Sequence, residues 1–118
     1  MSALTALVAI LISGDGGVGD ASRGASLYVA RCGACHSLGE NGAGPSHQKL
    51  WGRKAATQPG FDYSAALRAS KIVWNEKTLD RWLTNPNELV PGNKMMVQLA
   101  SDPIDRADLI AFLRRETR

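Results

Sequence analysis

Five consecutive residues carry the most specific chemistry in the sequence: Cys32, Gly33, Ala34, Cys35 and His36 form the motif C-x-x-C-H. On a helical turn the two thiols lie on one side, where they can add to the two vinyl groups on one edge of a haem. The adjacent imidazole can then reach the iron. The motif therefore predicts a covalently bound haem c, attached through Cys32 and Cys35, with His36 as one iron ligand.

Three other uses of a C-x-x-C pair are possible in principle. A zinc site would need two further Cys or His ligands, and only His47 remains, because the chain has two Cys and two His in all. A thioredoxin-like pair belongs near a βαβ unit, and no segment shows the alternation of a strand for more than a few residues. A structural disulfide formed after export is the simplest alternative to haem.

A haem iron that only transfers electrons needs a sixth ligand, usually Met or His. Apart from Met1, the sequence offers Met95 and the adjacent Met96, and spacing alone does not choose between them. A methionine is more often a core residue than a ligand. His47 is a third candidate, but a lone histidine in a loop just after the motif is expected to face solvent.

The elements that must position these residues are predicted to be helices, so the expected fold class is all-α. Asp20 is predicted to cap a first helix that ends at the cysteines, with one face formed by Gly24, Leu27, Tyr28 and Arg31. The last helix is predicted to start with Asp102 as its cap and Pro103 in its first turn. Its expected core residues are Ile104, Leu109, Phe112 and Leu113.

Between these helices the sequence changes character. Residues 37–59 are rich in Gly, Pro, Asn and Ser without a sustained period, which is typical of a long irregular loop. Such a loop is unusual in a small domain unless it wraps around a ligand. A short helical turn is predicted over 65–69 behind the cap Ser64, and a longer helix over 76–84 behind the cap Asn75.

The composition favours one soluble domain. The chain has 118 residues, of which 44% are hydrophobic and 21% charged, and its formal charge is +3. Fourteen basic and eleven acidic residues are interleaved along the chain. A nucleic-acid-binding protein would group its basic residues on one face, so nucleic acid is not expected as a partner.

The N-terminal residues suggest export. Residues 2–12 are uncharged and mostly apolar, too few to cross a bilayer, which needs about 20, but suited to the core of a signal peptide. The glycine-rich residues 13–19 resemble a linker. We therefore assign 1–20 to a signal peptide and linker and 21–118 to the folded domain, and expect a periplasmic protein whose membrane contact is at most through an uncleaved leader.

Several segments taken together resemble class I c-type cytochromes, the family of mitochondrial cytochrome c and its bacterial periplasmic relatives. The resemblance covers residues 20–116 and lies in the segments Gly24–Tyr28, C-G-A-C-H, Gly44-Pro45, Leu50–Lys54, Pro59–Ser64, Ile72–Trp74, Thr78-Leu79, Asn85-Pro86, P-G-N-K-M and Asp108–Leu113. It implies the cytochrome c fold, with three main helices, short helical turns and long loops around a covalent haem. It also implies a tight crossing of the first and last helices at Gly24 and Leu109.

The resemblance also implies a set of haem-binding residues. The family motif P-G-T-K-M carries its ligand at the first methionine, here Met95, so the implied iron ligands are His36 and Met95. The carbonyl of Pro45 is expected to accept a hydrogen bond from His36. Arg53, Tyr63 and Trp74 match residues around the haem propionates. Further pocket residues are Leu79, Trp82 and Leu83, with Trp82 standing where the family has a tyrosine near the methionine sulfur.

The implied function is that of a single-electron carrier and not an enzyme. Its partners would be redox proteins: a dehydrogenase or cytochrome complex as donor, and an oxidase or reductase as acceptor. The chain would be a monomer or a subunit of a hetero-complex, the alternative function being a dedicated electron-accepting subunit of a periplasmic dehydrogenase. Arg31 and Lys94 are expected to flank the exposed haem edge, partly offset by Glu88.

Overall fold

Five helices connected by loops make up residues 19–118, the part of the chain that the computed structural model describes. They are α1 (Ala21–Arg31), α2 (Ala65–Ala69), α3 (Glu76–Thr84), α4 (Pro86–Leu89) and α5 (Pro103–Thr117). The only strand-like pairing in this range is an isolated antiparallel bridge between Lys54 and Val73. The all-α prediction is confirmed. No helix between residues 19 and 118 is long and apolar enough to cross a membrane, and the signal-peptide prediction falls almost wholly outside the described residues.

The helix starts follow local capping chemistry. The Asp20 carboxylate accepts hydrogen bonds from two backbone N–H groups of α1, and Asp102 does the same for α5. At α3, Asn75 and Thr78 form a reciprocal capping box. These side chains satisfy N–H groups that the helices themselves leave unpaired, which is why the predicted starts are confirmed.

Helix α4 was not predicted. Asn85 ends α3 in an extended conformation, and its side chain then accepts hydrogen bonds from the backbone N–H groups of Asn87 and Glu88. Pro86 follows at the first position of α4, where its missing N–H costs nothing. The same Asn85-Pro86 pair that stops one helix therefore starts the next.

Helices α1 and α5 cross closely at Gly24. A Cβ atom at this position would overlap the backbone carbonyl of Asp108 and contact the Cβ atom of Phe112. Beside the crossing, the rings of Tyr28 and Phe112 lie with their centroids 5.0 Å apart, and Leu109 is buried. The predicted crossing is confirmed, and its close approach depends on the missing side chain of Gly24.

Charged groups fasten the same two helices along one side. Arg23 donates to Asp105 at 2.6 Å and to Asp108 at 2.7 Å, and Arg31 pairs with Asp105 at 2.9 Å. The Asp108 carboxylate also accepts from the backbone N–H of Asp20 at 2.7 Å. Hydrogen bonds from Arg23 and then Arg31 lower the pKa of Asp105. This ion-pair network ties α5 to both ends of α1.

Ile104 is not a core residue, contrary to the prediction. Its side chain is 69% exposed. It lies in the first turn of α5, and that helix is continuously buried only from Asp108 to Leu113. Ile104 therefore precedes the part of α5 that other elements cover.

Candidate functional site

One large cavity dominates the interior. It has a volume of about 250 Å³, whereas a second cavity among the described residues has about 20 Å³. All eleven residues that the sequence predicted around a haem line the large cavity: Cys32, Cys35, His36, Pro45, Arg53, Tyr63, Trp74, Leu79, Trp82, Leu83 and Met95. These residues come from α3 and from the three loops that connect α1 with α2, α2 with α3 and α4 with α5.

The C-x-x-C-H motif forms a tight turn at the end of α1. The backbone N–H of Cys32 still bonds to the carbonyl of Tyr28 at 2.8 Å, and the N–H groups of Cys35 and His36 both bond to the carbonyl of Cys32, at 3.1 and 2.8 Å. Because this turn continues the winding of the helix, both cysteines and the histidine reach the cavity. The arrangement suits attachment of one haem edge.

His36 is held as a metal ligand would be. Its Nδ1 donates a hydrogen bond to the carbonyl of Pro45 at 2.8 Å, as the resemblance implied. The bond fixes the tautomer and leaves Nε2 with a free lone pair. A Cβ atom at position 44 would overlap the imidazole, so only Gly44 lets the loop pass this close. Burial lowers the pKa of His36, although the Pro45 bond opposes the shift, and this favours the neutral form of the ring.

The loop around Met95 is organised by the side chain of Asn93. This residue is buried, its Oδ1 accepts from the backbone N–H of Met95 at 2.6 Å, and its Nδ2 donates to the carbonyl of Val90 at 2.9 Å. Met95 is partly buried in the cavity wall. Met96 also borders the cavity, but its side chain is 76% exposed. Of the two adjacent methionines, Met95 is therefore the one whose side chain lies more deeply in the cavity wall.

One end of the cavity is polar. Arg53 donates through Nη1 to the carbonyl of Gln48 at 2.6 Å, while its buried Nε has no hydrogen-bond partner in the described chain. The Tyr63 hydroxyl accepts from the backbone N–H of Gln58 at 3.2 Å. Burial lowers the pKa of Arg53, and no carboxylate among residues 19–118 forms an ion pair with it. An unpaired, buried Nε–H on a partly buried arginine fits an anionic group such as a haem propionate.

The remaining wall is apolar. Leu79, Trp82 and Leu83 project from one face of α3 and are buried. Trp82 packs edge-on against Trp74, with ring centroids 5.3 Å apart. A wall of this kind excludes water, which raises the influence of nearby charges on a bound iron. The thiols, the imidazole, the thioether, the orphan guanidinium donor and the apolar wall together fit a covalent haem.

His47 was predicted to face solvent, and this is wrong. Its ring stacks on that of His36, with centroids 4.1 Å apart and planes inclined by 19°. Its Nδ1 lies 2.9 Å from the hydroxyl of Tyr28. Burial, followed by the influence of His36 and Arg53, lowers the pKa of His47 to about 3, so this ring is neutral as well. Nothing in the sequence around His47 signals burial, because the path of an aperiodic loop cannot be read from residue types.

The two basic residues expected at the exposed edge are engaged within the chain. Arg31 pairs with Asp105 and donates to the carbonyl of Leu99 at 2.9 Å. The Lys94 ammonium donates to the carbonyl of Asp62 at 2.7 Å and lies 3.4 Å from its carboxylate. Each of these two positive charges therefore has a carboxylate of the chain itself beside it.

Comparisons with known proteins match most of the chain. The Cytochrome c family profile matches residues 21–116. A cytochrome c from Stellaria longipes is 43% identical over 103 residues, which covers 85% of this chain and 95% of that protein. A cytochrome c2 from Rhodomicrobium vannielii is 43% identical over 98 residues, covering 80% and 78%. The structure of cytochrome cH from Methylobacterium extorquens superposes with a TM-score of 0.79 at 39% identity, covering 82% of this chain and 99% of that one.

Proposed function

Because this chain belongs to the cytochrome c family, we propose that it shuttles single electrons between redox proteins in the periplasm, with His36 and Met95 as its axial ligands. Family membership itself makes the protein an electron carrier with a covalent haem c ligated by His and Met, and Cys32 and Cys35 stand in the required C-x-x-C-H arrangement. The bound haem supplies the one-electron chemistry, since its iron alternates between ferrous and ferric. The chain's own residues set the ligands, the electrostatics and the access of water.

The observation that supports the ligand assignment is the placement of His36 and Met95 on one cavity. His36 presents Nε2 because Pro45 occupies Nδ1, and the hydrogen bond makes the imidazole a stronger electron donor. Met95 contributes a soft thioether, which favours ferrous iron and raises the reduction potential. The pair suits an iron that exchanges electrons while its ligands stay in place.

A closed sixth position also argues for a carrier without substrate chemistry. Haem enzymes need an open or labile site for their substrate, whereas Met95 would occupy it here. Residues 19–118 contain no cluster of three or more His, Cys, Asp or Glu side chains that could hold a second metal. We therefore infer that partners are recognised as proteins: a donor dehydrogenase or cytochrome complex and an acceptor oxidase or reductase.

We infer export of the protein from its N-terminal sequence alone. The apolar residues 2–12 and the glycine-rich residues 13–19 support a leader and linker over 1–20, followed by the haem domain over 21–118. Haem staining of periplasmic and cytoplasmic fractions, with N-terminal sequencing of the stained band, tests this assignment. A stained band confined to the cytoplasm would contradict export.

Paired substitutions test the ligand assignment. Met95→Ala should remove the sulfur-to-iron charge-transfer band of the ferric protein and lower its reduction potential, because the thioether no longer stabilises ferrous iron. Met96→Ala is the matched control, since the neighbouring side chain is 76% exposed and should leave both properties nearly unchanged. If the two variants behave the other way round, the ligand is Met96 and the register is wrong by one residue.

A further inference from the structure

We propose that His47 is a positioning residue for the axial imidazole of His36: its stacked ring fixes the plane of His36, and the Tyr28 hydroxyl fixes His47. The inference rests on the proposed function, in which His36 binds the iron. It adds a residue that neither the sequence motif nor the comparisons assign. His47 would never touch the iron and would act only through His36.

The Pro45 bond alone does not fix the plane of His36. A single hydrogen bond at Nδ1 holds that nitrogen 2.8 Å from the carbonyl oxygen but lets the ring tilt about the line between them. The His47 ring lies against the face of His36, with centroids 4.1 Å apart and planes inclined by 19°. A tilt of the axial ring in that direction would drive it into His47. In a close-packed interior the stacked ring therefore restrains the one rotation that the hydrogen bond leaves free.

His47 can serve as a restraint because it is itself held. Its Nδ1 shares a hydrogen bond of 2.9 Å with the Tyr28 hydroxyl, and its ring meets that of Tyr28 edge-on with centroids 5.6 Å apart. Tyr28 belongs to α1 and is buried where this helix crosses α5, so that it packs on Phe112. The restraint thus runs from the helix crossing through Tyr28 and His47 to His36. A leucine at position 47 would fill similar space but could not share a hydrogen bond with the tyrosine or offer a flat face.

Fixing the imidazole plane has an electronic consequence. The orientation of an axial histidine sets how its π electrons overlap with the iron and how strongly it donates, and both affect the reduction potential. In a ferric haem the spread of unpaired spin over the ring methyl groups follows the same orientation. The order and spacing of the shifted methyl resonances in a proton NMR spectrum therefore report directly on the plane of His36, which a purely space-filling role for His47 would not control.

Three variants of the haem-loaded protein test the proposal. His47→Leu should change the pattern of shifted methyl resonances and raise the reduction potential, because the plane of His36 is no longer fixed and the imidazole donates less. Tyr28→Phe removes one hydroxyl and should shift the same resonances in the same direction by a smaller amount. Gln48→Ala, an exposed neighbour in the same loop, is the control and should keep the wild-type pattern.

The outcomes separate the proposal from the function on which it rests. If His47→Leu or Tyr28→Phe folds with haem and keeps the wild-type methyl pattern and potential, the positioning role is refuted. An equal change in Gln48→Ala would refute it too, since the effect would then be a general response of the loop. Where His47→Leu fails to fold, Tyr28→Phe decides. If the wild-type ferric spectrum lacks the sulfur-to-iron band, the proposed ligation fails instead.

Discussion

Removing the Asn93 side chain should loosen the loop that holds Met95 without changing either proposed iron ligand. In Asn93→Ala the backbone N–H of Met95 loses the acceptor that lies 2.6 Å away. The carbonyl of Val90 loses the amide donor at 2.9 Å but keeps the backbone N–H of residue 93 at 3.2 Å. The main cost is therefore one partly buried N–H left without a partner.

The size of the effect follows from that cost. Leaving a buried donor unsatisfied costs about 1–3 kcal/mol, and the cost disappears when the loop opens and the N–H reaches water. The equilibrium between the closed loop and a loop with Met95 released should therefore shift about 5–150-fold towards release. The measurable consequence is a matching gain in the affinity of the ferric iron for an added ligand such as imidazole.

Spectrophotometric titration with imidazole provides the assay, since the sulfur-to-iron band is lost as the added ligand replaces Met95. Asn87→Ala is the matched control, because Asn87 is an exposed asparagine in the neighbouring α4. If Asn93→Ala binds imidazole within about twofold of wild type, which corresponds to less than ~0.5 kcal/mol, the Asn93 bonds do not hold the ligand loop closed.

Three further predictions concern charge and packing. Arg53→Gln should lower the reduction potential in a redox titration, because a partly buried positive charge beside the cavity disfavours ferric iron, whereas the exposed Arg115→Gln should have little effect. Asp105→Asn should lower the thermal midpoint at neutral pH. Because folding lowers the pKa of Asp105, the stability that its charge confers is fully present above the unfolded pKa and is lost as pH falls through the folded value. The difference in midpoint between Asp105→Asn and wild type should therefore begin to shrink below a pH of about 4. Glu40→Gln should match wild type at neutral pH. Gly24→Ala should lower the free energy of unfolding, measured by urea denaturation, by about 1–3 kcal/mol or more, the cost typical of overpacking. Gly39→Ala, where an added Cβ meets nothing within 4 Å, should stay near wild type, and equal effects would contradict the close helix crossing.

The helices could be predicted from residue types because their starts and stops are local. Asp20, Asn75 and Asp102 each satisfy N–H groups two or three residues away, and such short-range chemistry leaves a clear pattern in the sequence. Helix α4 was missed because one Asn-Pro pair serves two helices. Ile104 was misplaced because periodicity shows which residues share a helix face, and not how far the covering elements extend.

The same difference between local and long-range determinants decides which residues of the site could be predicted. The C-x-x-C-H motif identifies Cys32, Cys35 and His36 by spacing alone, and local pattern then narrows the sixth ligand only to two adjacent methionines. The other pocket residues were assigned through resemblance to a family, since they come from loops without any period. Neither local pattern nor family resemblance predicted the burial of His47 or the pairing of Arg31 with Asp105. Their positions depend on how distant segments meet, as in the Arg31–Asp105 pair, which joins the haem motif to the last helix.

The crossing of α1 with α5 also determines how much of the chain is needed before the pocket can form. The contacts that fasten it join residues more than seventy positions apart, such as Arg23 and Asp105, so they cannot form until nearly the whole domain is available. Leu109 and Leu113 of α5 form part of the cavity wall that also contains Cys32. A chain that reaches only to Asp102 therefore has its haem motif but lacks one wall of the pocket. The wall of the haem pocket is therefore complete only once the last helix is in place.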